Sequence, residues 1–254
     1  MLTGEYSDKG PYREKNEDSV KCTVSGDHAF LVIADGLGGA PFGEIASKTA
    51  CEEATKILSE GWNGDLDGSG REEFLLRLFN TVNGKLLRRC VDEPKYTGMC
   101  TTLTVAVLAD GYVSIGHVGD SRAYLVTEDE LICISKDHNR ARILLESGQI
   151  TEEEAKRHPL RNLLTMVVGE NMYLSPYVDE VKVKDGDCVI LLTDGVYSAV
   201  SDDDITDIRN HKGAPSEFCR ILVEKAVDQG SMDNSTAAVG IVRGKEKESV
   251  GRSN

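Results

Sequence analysis

The sequence has little that would cross or coat a membrane. No apolar run approaches the roughly 20 residues needed to span a bilayer. Met1 to Glu14 is polar and lacks the apolar stretch of a secretory leader. Positive charge is scarce: 29 Lys and Arg stand against 43 Asp and Glu, a net charge of -14. A broad grip on nucleic acid or on anionic lipid is therefore not expected. No Pro/Gly/Ser-rich linker divides the chain, so residues 1–243 are read as one domain and the polar stretch 244–254 (GKEKESVGRSN) as a disordered tail. The 7 cysteines are odd in number and scattered, with no C-x-x-C. That argues against a disulfide framework and a thiolate zinc site, and for buried free thiols in a reducing, cytoplasmic setting.

What is present is a mixture of helices and short strands. Apolar residues recur at helical spacing over 43–60, 71–92 and 216–229. A shorter helical pattern over 139–158 breaks at Gly148, and Thr151 with Glu154 matches a capping box. Strand-like runs rich in β-branched residues cover 29–34, 103–108, 112–118, 123–126, 131–134, 188–192 and 237–242. Asp110-Gly111 reads as a hairpin turn, and 103–134 as one antiparallel meander. Because the strands bunch together and do not alternate with helices, the pattern predicts an α+β fold. The expected architecture is a four-layer αββα sandwich, two central antiparallel sheets flanked by helices.

The chemistry is in where aspartates meet strands. Asp35 follows FLVIA, Asp120 follows SIGHVG, Asp194 follows VILLT, and Asp233 precedes the last strand. Carboxylates converging from strand ends repel one another and resist desolvation, so they need a cation to stay ionised. Oxygen donors without histidine or cysteine select hard ions: magnesium, manganese or calcium. Asp-Gly alone is a common turn pair, and Asp110-Gly111 and Asp185-Gly186 are read as turns. Asp35-Gly36 stands apart because glycines and a helix start follow it.

Taken together, the blocks resemble the metal-dependent protein phosphatases of the PPM, or type-2C, family, in the compact bacterial form. They run in the family's order from about Ser7 to Val242: SDKGPYREKNEDS, VIADGLGGAPFGEIAS, MCTTLTVAVL, IGHVGDSRAYL, KDH at Lys136 to His138, HPLRNLLT, GDCVILLTDGVYS and MDNSTAAVGIV. The resemblance implies a serine/threonine protein phosphatase with two Mn2+ or Mg2+ ions and possibly a third, weaker one. Asp35 would bridge the two ions, Asp194 and Asp233 would complete one, and the Gly36 carbonyl would serve the other. Asp120 with Asp194 would hold the third. Asp18 would orient the attacking water, with Glu17 a weaker candidate, and Arg13 would clamp the phosphate. Asn234 would support the site from behind. Water activated at the binuclear centre would attack phosphorus in line, without a phosphoenzyme.

The implied partners are phosphorylated Ser/Thr proteins, among them a Ser/Thr kinase; nucleic acid, a membrane and a second subunit are not expected. Two departures from the family pattern stand out. Leu37 occupies a position where some members carry a histidine proposed as the leaving-group acid, and Cys100 one where glycine is usual. His117 is read as a satisfied core residue. Residues 138–165 match the family's variable flap. None of the cysteines has an arginine six positions on, which excludes a cysteine-nucleophile phosphatase. The rival reading is a pseudophosphatase that binds phosphoproteins without turning them over. It would be expected to lack a metal-ligand position, whereas Asp35, Asp194 and Asp233 are all present.

Overall fold

A computed structural model describes residues 1–243; the tail assigned to 244–254 lies outside them. In chain order the elements are β1 (Leu2–Asp8), β2 (Asp18–Ser25), β3 (His28–Asp35), α1 (Gly43–Gly61), α2 (Gly68–Asp92), β4 (Leu103–Ala109), β5 (Tyr112–Val118), β6 (Arg122–Val126), β7 (Leu131–Cys133), α3 (Arg140–Glu146), α4 (Glu152–Lys156), β8 (Tyr177–Lys182), β9 (Cys188–Leu192), α5 (Asp194–Tyr197), α6 (Asp202–Thr206), α7 (Pro215–Asp228) and β10 (Ser235–Ile241). They build two 5-stranded sheets, one in the order β1-β10-β9-β6-β7 and one in the order β2-β3-β4-β5-β8. Every pairing between these strands is antiparallel.

The layering follows from side-chain alternation along the strands. In β3, Phe30, Val32 and Ala34 pack under the helices, with Leu58 of α1 and Leu75, Leu78 and Phe79 of α2. Ala29, Leu31 and Ile33 point the other way and meet Val189, Leu191 and Ala238 of the second sheet. Both faces of β3 are thus buried, which explains its unbroken apolar run. The second sheet turns Ile190, Leu192, Ala237 and Val239 onto Phe218, Leu222 and Val223 of α7. The order helix, sheet, sheet, helix is the expected αββα sandwich.

Several expectations need correction. The segment 103–134 is not one meander. β4 and β5 form a hairpin in one sheet, while β6 and β7 lie in the other. The chain crosses between sheets at Gly119, which has a φ of 112°. A Cβ there would also lie 2.5 Å from Thr102 Cβ, so glycine is required on both counts. β1, β2 and β8 have no counterpart in the sequence reading. Two of them flank β10 and β5, and their residues are mostly only half-buried, so alternation in burial is weak. α2 begins earlier than expected because Asp67 caps it, accepting from the Gly70 N–H at 2.8 Å. Ile221, one of the apolar positions in the helical pattern over 216–229, is exposed; Cys219 and Val223 are buried. All the cysteines are free, but Cys133 is exposed rather than buried. The hairpin at Asp110-Gly111 and the capping box of Thr151 with Glu154 are as expected. Among the described residues no helix is long and apolar enough to cross a membrane.

Candidate active site

The aspartates singled out in the sequence gather at one end of the sandwich, drawn from both sheets. Asp35 closes β3, and Asp18 at the start of β2 is its cross-strand partner. Asp120 lies on the crossover after β5. Asp194 opens α5 directly after β9, and Asp233 sits just ahead of β10. Their proximity shows in their titration. Burial, followed by Asp18, Asp194, Asp120 and Asp233, pushes the Asp35 carboxyl well above the usual range. Burial, then Asp194 and Asp137, lifts Asp120 to about 8. Asp18 and Asp194 are raised too, first by burial and then by their acidic neighbours.

The surroundings fix these groups while leaving acceptor oxygens over. Asp18 Oδ2 accepts hydrogen bonds from the hydroxyls of Thr236 at 2.6 Å and Thr193 at 3.0 Å. Its Oδ1, like Asp194 Oδ1, is buried without a hydrogen-bond partner. A buried carboxylate oxygen with nothing to accept from is costly unless a cation meets it. The donor set is entirely oxygen, so the residues fit a hard divalent cation and could hold one. Among the described residues no three such side chains yet converge within reach of a common ion.

The backbone around Asp35 is pinned from both sides. Its N–H donates to Thr102 Oγ1 at 2.9 Å, and its carbonyl accepts from Thr101 Oγ1 at 2.8 Å. Gly36 donates its N–H to the Glu17 carbonyl at 3.0 Å. A Cβ on Gly36 would fall 2.3 Å from the Gly43 carbonyl oxygen, so no other residue fits. The following loop ends at Phe42, a non-glycine residue at φ 58°, held edge-to-face against Tyr96 at 5.1 Å. Leu37 donates its N–H to the Cys100 carbonyl at 3.2 Å. Burial lifts the Cys100 thiol to about 11, so it is neutral near pH 7 and acts in packing.

Arg13 stands at the rim with Nη2 2.5 Å from Asp233 Oδ2, and both side chains are more than a third exposed. Glu17 is half-buried; its N–H donates to Asn234 Oδ1 at 2.8 Å. Asn234 in turn donates to the carbonyls of Lys9 at 2.8 Å and Lys15 at 3.0 Å. Glu17 and Asn234 therefore tie the loop after β1 to the loop before β10.

Some residues of the site were given no role from sequence. Tyr197 donates its hydroxyl to the Asp120 carbonyl at 3.0 Å, and Arg122 stacks on its ring at 4.1 Å. Asp137 holds Arg122 at 2.8 Å. This strut links the crossover bearing Asp120 to the helix bearing Asp194. The hydroxyls of Thr193 and Thr236 were also missed; their signal is a polar residue inside an otherwise apolar strand end. His117 is fully buried, satisfied by Thr104 Oγ1 at 2.8 Å and the Gly119 carbonyl at 2.9 Å, and it stacks on His138.

The family model of protein phosphatase 2C matches residues 13–235. The serine/threonine phosphatase stp of Listeria welshimeri is 31% identical over 234 residues, 91% of each chain. Among solved structures, the serine/threonine phosphatase Stp1 of Staphylococcus aureus superposes with a TM-score of 0.85 at 32% identity, covering 96% of both chains. The catalytic domain of the serine threonine protein phosphatase PstP, solved with 2 manganese ions, gives a TM-score of 0.80 at 31% identity, covering 95% of this chain and 98% of that one. The chain belongs to the protein phosphatase 2C family.

Proposed function

We propose that this protein is a metal-dependent serine/threonine protein phosphatase whose centre is the cluster of Asp18, Asp35, Asp120, Asp194 and Asp233. The observation that carries the reading is the meeting of these carboxylates from both sheets, two of them with orphaned buried oxygens, beside an exposed arginine. Asp35, Asp194, Asp233 and the Gly36 carbonyl would hold two ions, Mn2+ or Mg2+, and Asp120 with Asp194 a third, weaker one. Such ions, when bound, cancel the carboxylate charge that would repel a phosphate and make water acidic enough to serve as a nucleophile near neutral pH.

The remaining work falls to the chain's own groups. Arg13 grips the phosphate bidentately after exchanging Asp233 for the substrate's oxygens. Asp18, anchored on one oxygen by Thr193 and Thr236, keeps the other free to orient the water. Glu17 and Asn234 hold Arg13 and Asp233 in register through the joined loops. Leu37 cannot donate a proton, so the leaving alkoxide would take one from water, either held at the centre or from solvent. The substrates are phosphorylated Ser/Thr proteins, a Ser/Thr kinase among them, met by a cytoplasmic monomer. The pseudophosphatase alternative loses ground because every carboxylate is retained and clustered.

The test is hydrolysis of a phosphothreonine peptide by the purified protein with manganese, with magnesium and with chelator, and a phosphotyrosine peptide as control. Turnover that needs a divalent ion and favours phosphothreonine supports the reading. Folded, ion-loaded protein that binds the peptide but never hydrolyses it would replace phosphatase with phosphoprotein binder.

A further inference from the structure

Arg13 and Asp233, the ion pair at the mouth of the site, are each immediately preceded by a large apolar side chain left in water. Tyr12 is 63% exposed and Met232 is 70% exposed. A single exposed apolar residue needs no explanation. Here two hold the same position relative to one charged pair, on two loops far apart in sequence. The loops are fastened together by the Arg13–Asp233 pair at 2.5 Å and by the Asn234 bonds to Lys9 and Lys15. Tyr12 and Met232 therefore each stand one residue from an end of that pair, on two loops braced against one another. Their chemistry suits contact: tyrosine offers a rigid amphipathic ring, and methionine an adaptable thioether.

We propose that Tyr12 and Met232 form an apolar seat for a large apolar side chain next to the phosphorylated residue of the substrate, and so select among phosphoproteins. This rests on the phosphatase reading. Arg13 and the carboxylate cluster fix the phosphate, and an extended peptide advances about 3.3 Å per residue. The neighbouring substrate residue must then cross the rim where Tyr12 and Met232 stand. An acidic neighbour is disfavoured by the net charge of -14. The Lys9 ammonium on this rim already donates to the Arg13 carbonyl at 2.7 Å. An apolar neighbour loses water on both flanks of the seat.

The experiment compares phosphothreonine peptides that differ only in carrying leucine or serine beside the phosphorylated residue, on either side. The manganese-loaded wild type, Tyr12→Ser, Met232→Ser and the double variant are assayed, and the ratio of kcat/KM for leucine over serine peptide is read. We expect a wild-type ratio of about ten on one side, carried mainly by KM, from burial of one aliphatic side chain. The ratio should fall to near one in the double variant and persist in Met232→Leu. A wild-type ratio near one on both sides, or a double variant that keeps the ratio, overturns the seat. A wild type that hydrolyses neither peptide refutes the phosphatase reading and this inference with it. Both positions are exposed, and thermal melts of the variants establish that they fold.

Discussion

Burial and every other carboxylate of the cluster oppose the charge of Asp35. Asp35→Asn should therefore separate activity from stability. Turnover with manganese should fall by at least about 10³-fold, because the centre loses a charged ligand. The melting temperature in chelator should rise, because one repelling charge is gone. Steady-state assays and thermal melts check the two halves, and a lower melting temperature in chelator would show that Asp35 is not electrostatically strained. Arg13→Lys should lower kcat/KM by about 10- to 100-fold, since an ammonium cannot make the paired contact. His117 provides the pH signature. Burial, then His138, lowers it to about 4 from its ordinary 6.5, so the unfolded chain binds more protons between those values. Stability from this group is full above pH 6.5 and is lost as pH falls towards 4, by on the order of 3 kcal/mol. The gap in urea unfolding midpoint between wild type and His117→Gln should therefore shrink as pH falls from 6.5 towards 4, since the raised carboxylates of the cluster act on both proteins alike.

At the scale of elements, Gly119 decides where the sheet-to-sheet crossing occurs. Gly119→Ala meets both a φ of 112° and a Cβ contact of 2.5 Å with Thr102. It should destabilise by about 2–4 kcal/mol, read in urea, and should weaken the Asp120 position before the rest of the site. The elements legible in the sequence were those with a strong single pattern. β3, β4 and β9 are buried on both faces, and α2 lays Phe74, Leu75, Leu78, Phe79, Val82 and Leu86 along one stripe. The edge strands β2 and β8 mix charged and apolar residues, and the alternation of Val20, Cys22 and Val24 with Lys21, Thr23 and Ser25 in β2 was a local signal left unread. The crossing at Gly119 was invisible for a different reason: a hairpin pair within one sheet and a hop between sheets share the same alternation. The site residues Asp35, Asp120, Asp194 and Asp233 were legible because each ends or precedes an apolar run. Tyr197, Arg122 and Asp137 were not, because a strut spanning three segments leaves no spacing to read.

Across the whole molecule the site lies over the seam between the sheets, with Asp18 and Asp35 on one and Asp194 and Asp233 on the other. A divalent ion held between them would brace the sandwich. At about 100 times its dissociation constant, manganese should stabilise the protein by about 2.7 kcal/mol. For a domain of this size that is a rise of roughly 5–10 °C in melting temperature. Chelator should reverse it and Asp194→Asn should abolish it, and an unchanged melting temperature would disconnect the ion from the fold. The register of β1 with β10 has a consequence of another kind. Leu2 lies opposite Ile241, and β10 sits between β1 and β9. On the ribosome, the earliest strand made must wait for one of the latest before its sheet can close, and Asp233 emerges only just ahead of that moment. A nascent chain therefore carries Asp35 and Asp120 long before it carries Asp233. On the proposed role of Asp233, a product truncated ahead of β10 should be inactive, which a phosphothreonine peptide assay of that product checks.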